Sequence, residues 1–457
     1  MPASFKELTL SNLILNRPGT ITFRLILGAF GIALRLFFRR IEMVNADVVP
    51  SGPGVIFVLN HPNGLIDPAL VFVALPRKIS FLAKSTLFRM PVISFLLRTV
   101  DALPLYRRVD AGEDISKNEK TFELCRDLLD AGGSIALFPE GISHNSPKLL
   151  PMKTGAARIA LGAASGDKKI DVKVVPVGLY YTNKTTFRSE ALLHFGEPFT
   201  VPHVDLDPDG QPPKDAVKEL TARIETELRE VTLNAESEAE LHIARIAESI
   251  LASAAENENL GEKLVFLQNY IAETADDNRS AVRTRLSDRL HEYDRKLDSL
   301  GIDPEHLSLA QLKPGFVVYR AFIQTWMLIL LAPLAVFGTI LHAPAYQLGK
   351  LVAYLYSRHG ADDVASTVKV LAGMVFMPLT WIITAIVMYV LSGWQLALAS
   401  IPFSFVSGYA ALYSLEEITE MRGWAKAIWL YLTKRERFLR LYVERRELQE
   451  ALREFEI

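Results

Sequence analysis

Cysteine is nearly absent from the sequence: Cys125 stands alone among 457 residues. One thiol excludes an internal disulfide framework and a metal site built on cysteines. Histidine does not make up the deficit, because its nine copies are scattered with no two at ligand spacing, which argues against zinc. Net charge is also close to absent, at −2, so no global field points to nucleic acid as a partner. No signal peptide is expected, since no cleavable small-residue site follows a short apolar core.

Apolar content is what the chain has in excess. Half of it is hydrophobic, and a mean hydropathy of +0.19 is high for a soluble protein. The length suggests two or three units, and the apolar residues are unevenly shared among them. In ITFRLILGAFGIALRLFFRRIE, Ile21 to Glu42, only ten residues lie between Arg24 and Arg35. That is too few to cross a hydrocarbon core of ~30 Å. The segment instead suits an amphipathic helix lying in the membrane interface, its arginines at the headgroups.

From Val55 the texture changes. Strand-like runs at 55–60, 79–84, 102–107, 134–140, 172–181 and 191–199 alternate with helical stretches such as SKNEKTFELCRDLLDAGG. This alternation predicts an α/β layer structure with a mixed, largely parallel sheet covered by helices. The unit is expected to close where VDLDPDGQPPKD has linker chemistry. Residues 214 to about 313, rich in Ala, Glu, Leu and Arg, read as solvated charged helices.

Two long runs then lack charge altogether. Ala321–Leu341 has none across 21 positions, and Val370–Leu415 none across 46. A bilayer requires about 20 apolar residues per helix, so both runs predict transmembrane segments. Ser392-Gly393 divides the longer run into a hairpin. Between Arg422 and Arg446 eight basic residues face two acidic ones, which places that tail in the cytoplasm by the positive-inside tendency. A catalytic unit on the same side requires an even number of crossings. The segment around Pro333 must then be re-entrant or paired with a second crossing near 343–357. The expected organisation is an interfacial anchoring helix (1–45), an α/β domain (46–205), a charged helical segment (206–313), a membrane region (314–415) and a basic cytoplasmic helical tail (416–457).

The sharpest motif is VLNHPNGLIDPAL, residues 58–70. A strand ends at Asn60 and His61 follows at its carboxyl edge, where α/β folds place their ligands. On a continuous helix, six residues would leave His61 and Asp67 roughly 240° apart. The turn-formers Pro62, Asn63 and Gly64 let the chain bend and bring the carboxylate back beneath the imidazole. There it would fix the ring tautomer and leave the far nitrogen free as a base. Taken alone, Asp67 before Pro68 is a helix N-cap and His61 a loop residue; neighbouring motifs reverse that reading. LFPEGISHNSPKLLPMKTGAARIAL, residues 137–161, runs a strand into Glu140 and Gly141 and opens a helix beyond Lys153. Gly141 permits close backbone approach, Glu140 can bond a substrate hydroxyl, and Lys153 lies near a helix N-terminus that favours phosphate. No glycine follows two positions after Ser143, which weakens a serine-hydrolase reading. LPLYRRVD, residues 103–110, places Arg107 and Arg108 at a strand end as candidates for phosphate binding. Lys84, closing the run 79–84, is a further binding candidate. In the fourth block, Pro176 occupies a strand position that excludes a ladder hydrogen bond.

These four blocks, in this order, resemble the glycerolipid acyltransferase superfamily, whose first motif is a histidine followed closely by an aspartate. They are most similar to the fungal-type glycerol-3-phosphate/dihydroxyacetone-phosphate acyltransferases, and the similarity extends through VYRAFIQTWMLILLAPL into the hairpin. Two departures stand out: five residues, not four, separate His61 from Asp67, and Ser143-His144 stands where many relatives have an arginine. The resemblance implies His61 as general base, Asp67 as its orienting partner, Glu140 and Gly141 toward the acceptor, and Arg107 or Arg108 toward its phosphate, with Lys153 or Arg107 compensating for the missing arginine. It implies acyl transfer from acyl-CoA, or an acyl carrier, to the sn-1 hydroxyl of glycerol-3-phosphate or a related polyol phosphate. No cofactor is expected beyond acyl-CoA as co-substrate. It also implies an integral membrane protein, bacterial inner membrane or endoplasmic reticulum, with a cytoplasmic catalytic face and membrane lipid as partner. Acylation of a lysolipid at the second position, a non-catalytic lipid-binding protein and a thioester hydrolase are the alternatives.

Overall fold

The computed structural model describes residues 19–454, apart from 53, 76, 90, 108, 109, 111, 167–169, 185, 253–258, 275–279, 303–313 and 358–364. Residues 19–234 form one compact unit, and most of the chain from Ala235 onward a second.

The first unit opens with α1 (Ile21–Phe37), whose start is capped by the Thr20 hydroxyl accepting from the Phe23 N–H at 3.2 Å. Phe23, Leu27, Leu34 and Phe37 are buried, and Phe23 meets Phe72 edge-on with centroids 5.1 Å apart. One face of this helix is therefore core, while Ile21, Leu25 and Ile32 remain outward. The helix also stops short of Glu42. Phe38–Val44 is strand β1, so the α/β unit begins before the expected boundary at 45/46. Ile41 and Met43 are buried at a two-residue period that suits a pleat and not a helix. The arginines expected at lipid headgroups, Arg39 and Arg40, lie 3.0 and 3.4 Å from Glu190.

The elements that follow are β2 (Val55–Leu59), α2 (Ile66–Ala74), β3 (Ser80–Lys84), α3 (Pro91–Thr99), β4 (Leu103–Leu105), α4 (Asn118–Asp130), β5 (Ser134–Leu137), α5 (Gly155–Ala164), β6 (Lys173–Tyr181), β7 (Ser189–Phe195), β8 (Phe199–Thr200) and α6 (Lys214–Glu230). All six strand-like runs are strands. They join one eight-stranded sheet in the order β1-β7-β6-β2-β5-β3-β4, with β8 on β6. The pairings of β6 with β7 and with β8 are antiparallel and the others parallel. The expected mixed, largely parallel and well-covered sheet is what the chain builds.

Central β2, VIFVL, is buried at every position because helices cover both faces. Phe122 and Cys125 of α4, Ala157 and Ala160 of α5, and Leu220 and Ile224 of α6 share one core with Ile56, Val58 and Ile135. The place of α6 corrects the expected division at 205/206. Its Val217, Leu220, Ile224 and Leu228 form a buried stripe at helical spacing, so the helix covers the sheet and is not part of a solvated segment. Each such side chain contributes about 1.5–3 kcal/mol when fully buried. Gly178 in β6 permits this docking: a Cβ there would lie 1.7 Å from the Val231 carbonyl oxygen just past α6.

The second unit is helical: α7 (Glu238–Ala252), α8 (Leu260–Thr274), α9 (Ser280–Leu300), α10 (Pro314–Ser357), α11 (Ala365–Ser392), α12 (Trp394–Thr433) and α13 (Arg435–Glu454). Among the described residues, Phe322–Leu355, Val368–Ser392 and Trp394–Thr433 are long and apolar enough to cross a bilayer. The hairpin turn falls where expected, at Gly393 with φ +87°. Two expectations are corrected. Pro333 and Pro344 lie inside one unbroken helix, so the segment is neither a re-entrant loop nor two crossings. Among the described residues the candidate spans number three by length and composition. The expected boundary at 415/416 also falls within α12, which continues to Thr433. Inside the unit the Trp381 indole N–H donates to His342 Nε2 at 2.8 Å. That bond leaves the His342 proton on Nδ1, which faces the Gly338 carbonyl at 2.8 Å.

Candidate active site

The site stands at the carboxyl edge of β2. Asn60 continues the pairing of β2 with β6 by side chain: its amide donates to the Leu179 carbonyl at 3.0 Å and accepts from the Leu179 N–H at 2.7 Å. The chain then turns through Pro62, Asn63 and Gly64, where Gly64 has φ +45°. The Ile66 N–H donates to the Asn63 carbonyl at 3.0 Å, closing the turn into α2.

This turn returns Asp67 to His61. His61 Nδ1 lies 2.8 Å from Asp67 Oδ2, while no described residue bonds Nε2. The His61 ring is stacked on Phe138, centroids 3.9 Å apart and planes 13° from parallel. Asp67 is fully buried, and an unpaired carboxylate would be costly there. Its remaining capacity is taken by the Asn63 N–H to Oδ2 at 2.7 Å and the Tyr181 hydroxyl to Oδ1 at 2.5 Å. Three partners fix the carboxylate, and the carboxylate fixes the imidazole. Asp67 is not the helix cap expected of an Asp-Pro pair. The helix starts at Ile66, two residues earlier than such a cap would allow, and the carboxylate turns back toward the loop.

Glu140 is also differently placed from expectation. Its side chain is fully buried, and both oxygens are used by the protein. Oε1 accepts from the His61 N–H at 3.0 Å, and Oε2 from the Leu150 N–H at 2.8 Å and from His144 Nε2. The carboxylate grips the backbone of His61 on one oxygen and is held on the other by Leu150 and His144. Gly141 adopts φ +77°, the conformation that favours glycine, and a Cβ there would meet only Lys153 Cγ at 3.5 Å. Lys153 thus lies over the Gly141 backbone, and its own N–H donates to the Pro139 carbonyl at 2.7 Å.

Arg107 is committed within the protein. Its guanidinium is bidentate on Asp110, at 3.0 and 3.1 Å, and donates to the Gly141 carbonyl at 2.9 Å. Lys84 Nζ reaches the same Asp110 at 3.1 Å. The cluster carries two cations on one anion, so a positive excess remains beside the Gly141 turn. The Arg107 guanidinium and then Lys84 hold the Asp110 carboxyl below its usual range. Arg108 lies outside the described residues. Pro176 is set inside the sheet opposite Val58.

Sequence reasoning missed Tyr181, Phe138, Asn63 and His144. Tyr181 offers no local signal, since it lies 114 residues from Asp67. Burial and the Asp67 charge push its hydroxyl well above the usual value, which keeps it a donor.

An imidazole with one nitrogen held by a buried carboxylate and the other unbonded among the described residues, at the edge of a mostly parallel sheet, is an arrangement suited to general-base chemistry. Residues 40–180 match the Acyltransferase family, and residues 263–455 match the glycerol-3-phosphate acyltransferase 2 C-terminal domain. The chain thus carries an acyltransferase domain followed by that C-terminal domain, the similarity that the motif blocks implied. Glycerol-3-phosphate O-acyltransferase 2 of Saccharomyces cerevisiae is 28% identical over 299 residues, 60% of this chain and 39% of that protein. Glycerol-3-phosphate O-acyltransferase 1 of the same yeast is 29% identical over 262 residues, 54% of this chain and 34% of that protein. The chloroplastic 1-acyl-sn-glycerol-3-phosphate acyltransferase BAT2 of Brassica napus is 29% identical over 168 residues, 36% and 45% of the two chains. The chain spans under two fifths of the length of the two yeast relatives. The solved 1-acyl-sn-glycerophosphate acyltransferase of Thermotoga maritima covers 46% of this chain and is itself covered over 78%, at 20% identity and TM-score 0.34, a likeness too loose to build on.

Proposed function

We propose that the chain transfers a fatty acyl group from acyl-CoA to the sn-1 hydroxyl of glycerol-3-phosphate or dihydroxyacetone phosphate, giving the lysophosphatidate type of product. The supporting observation is the His61–Asp67 pair at 2.8 Å with Nε2 unbonded. In this reading Nε2 takes the proton of the acceptor hydroxyl as its oxygen attacks the thioester carbonyl. The new C–O ester bond forms, the C–S bond breaks, and the imidazolium returns the proton to the departing thiolate. The carboxylate of Asp67 holds the tautomer and offsets the transient positive charge. General-base assistance of this kind is worth about 10²–10⁴ in rate, and positioning supplies the remainder.

The acceptor's phosphate is assigned to the positive excess around Lys84 and Arg107 and to Lys153 above Gly141. Arg107 acts chiefly by fixing the Gly141 carbonyl. The reading calls for no cofactor beyond the acyl-CoA co-substrate. Long apolar helices associate the chain with a membrane, into which the acyl chain and the product both partition. A cytoplasmic catalytic face is part of the proposal. The names of the yeast relatives support glycerol-3-phosphate as acceptor.

The test is a direct assay. Purified full-length protein in lipid vesicles receives labelled acyl-CoA with glycerol-3-phosphate, dihydroxyacetone phosphate or lysophosphatidate. Transfer to either of the first two is expected. Transfer to lysophosphatidate alone would reassign the acceptor, and coenzyme A release without acylated product would make the chain a hydrolase.

A further inference from the structure

We propose that His144 is a positioning residue for the transfer reaction, acting on His61 through Glu140. The proposal rests on the acyl-transfer reading above and adds to it a residue that no motif assigns.

Besides the ring stack on Phe138, His61 is held by three hydrogen bonds. Asp67 sets its ring, and the other two contacts are on its backbone. Its N–H donates to Glu140 Oε1 at 3.0 Å, and its carbonyl accepts from the His144 N–H at 3.1 Å. The second pair of contacts is one device, because the His144 ring closes it: Nε2 bonds Glu140 Oε2, on the carboxylate that grips the His61 N–H. The turn from Phe138 to His144 therefore clasps the peptide units on both sides of His61.

The imidazole spends its polar capacity nowhere else. Nδ1 of His144 is buried with no hydrogen-bond partner among the described residues. The ring bonds the protein at Glu140, so it does not replace the arginine that many relatives carry near this point as a phosphate ligand. What Glu140 requires is donors. It is fully buried, and a carboxylate in that setting must be bonded on both oxygens to stay in place. Without Nε2, Oε2 keeps only the Leu150 N–H, and the side chain is free to swing off the His61 peptide. A shift of His61 by even 1 Å would cost on the order of 10²-fold in rate.

Two substitutions in the full-length protein separate positioning from mere packing. His144→Gln keeps a donor at the ε position, and His144→Leu removes it at similar volume. With His144→Leu, kcat should fall about tenfold while both KM values stay within about twofold, the split expected for a lost alignment. With His144→Gln, kcat should return to within about threefold of wild type. A second readout needs no turnover: carbethoxylation of His61 by diethyl pyrocarbonate, located by mass spectrometry. His144→Leu should change its rate at least about threefold, and His144→Gln should match wild type, because reactivity follows orientation and access. Equal kcat in wild type and His144→Leu overturns the proposal, as does equal loss in both variants, or one His61 reactivity in all three. If the wild-type protein acylates no acceptor, the acyl-transfer reading fails, and the His61 reactivities still decide whether His144 positions it.

Discussion

Tyr181 donates its hydroxyl to Oδ1 of Asp67 across 2.5 Å, so the group that orients His61 is itself anchored from the far end of β6. Tyr181 is buried and faces a negative charge, which raises its hydroxyl well above the ordinary phenol value. It therefore donates throughout any working pH. Tyr181→Phe removes that bond and leaves the ring. A hydrogen bond to a charged group contributes about 1.5–3 kcal/mol, so the variant should melt lower and kcat should fall about five- to tenfold with KM unchanged. Steady-state kinetics at saturating acceptor check this. A variant with wild-type kcat would show that Asp67 is held well enough by Asn63 and His61 alone.

Asp67→Asn should be more damaging than its size suggests. The side-chain oxygen of asparagine, set at the Oδ1 position, accepts from the Tyr181 hydroxyl, which puts the amide N–H₂ at the Oδ2 position, toward His61. Facing a donor, Nδ1 must become the acceptor, which puts the ring proton on Nε2 and removes the base. The expected loss is about 10²–10⁴ in kcat, similar to His61→Ala, with the protein still folded and vesicle-bound. Labelled-acyl transfer by purified variants measures it. Activity within tenfold of wild type in either variant would remove His61 as the base.

The sheet was legible because its strands carry their own signatures. VIFVL is apolar at every position, as a strand covered on both faces must be, and the turn-formers after it announce the bend that joins His61 to Asp67. β1 was hidden for a physical reason. FRRIEMV follows an apolar helix without a breaker, and its strand character comes from pairing with β7, 151 residues on from Arg39 at Glu190. The same distance effect concealed Tyr181. The role of Glu140 was misread because a sequence shows that a carboxylate is present but not that it is buried. Only the fold reveals that both of its oxygens are spent on His61, Leu150 and His144.

Cys125 gives a native-state probe without mutation. It lies on the inner face of α4, fully buried, and burial pushes its thiol up to about 12. The thiolate is the reactive form, so at pH 8 maleimide should label the folded protein very slowly and label it fully after denaturation in detergent. Mass spectrometry over a time course reads the two rates. Native labelling at the rate of a free thiol would mean that α4 does not pack on the sheet as described.

Asp110 makes the Gly141 turn sensitive to acid. Arg107 first, then Lys84, lowers its carboxyl below the ordinary range in the folded state, whereas in the unfolded chain it titrates near about 3.9. A folded value below the unfolded one means that the stabilisation is complete above about pH 4 and fades as pH falls through the folded value. Asp110→Asn cannot ionise, so it lacks this contribution at every pH. At pH 7 the variant should melt below wild type, and the gap should close as the pH is taken below about 4, where wild type also loses the charge. Because Arg107 would lose its bidentate partner, its bond to the Gly141 carbonyl should loosen as well, and the KM for the phosphorylated acceptor should rise at pH 7. Melting curves between pH 7 and 3, followed by circular dichroism, give the comparison. A gap that widens on acidification would reverse the sign of the linkage, and the Arg107–Asp110–Lys84 cluster could not then be what holds the turn.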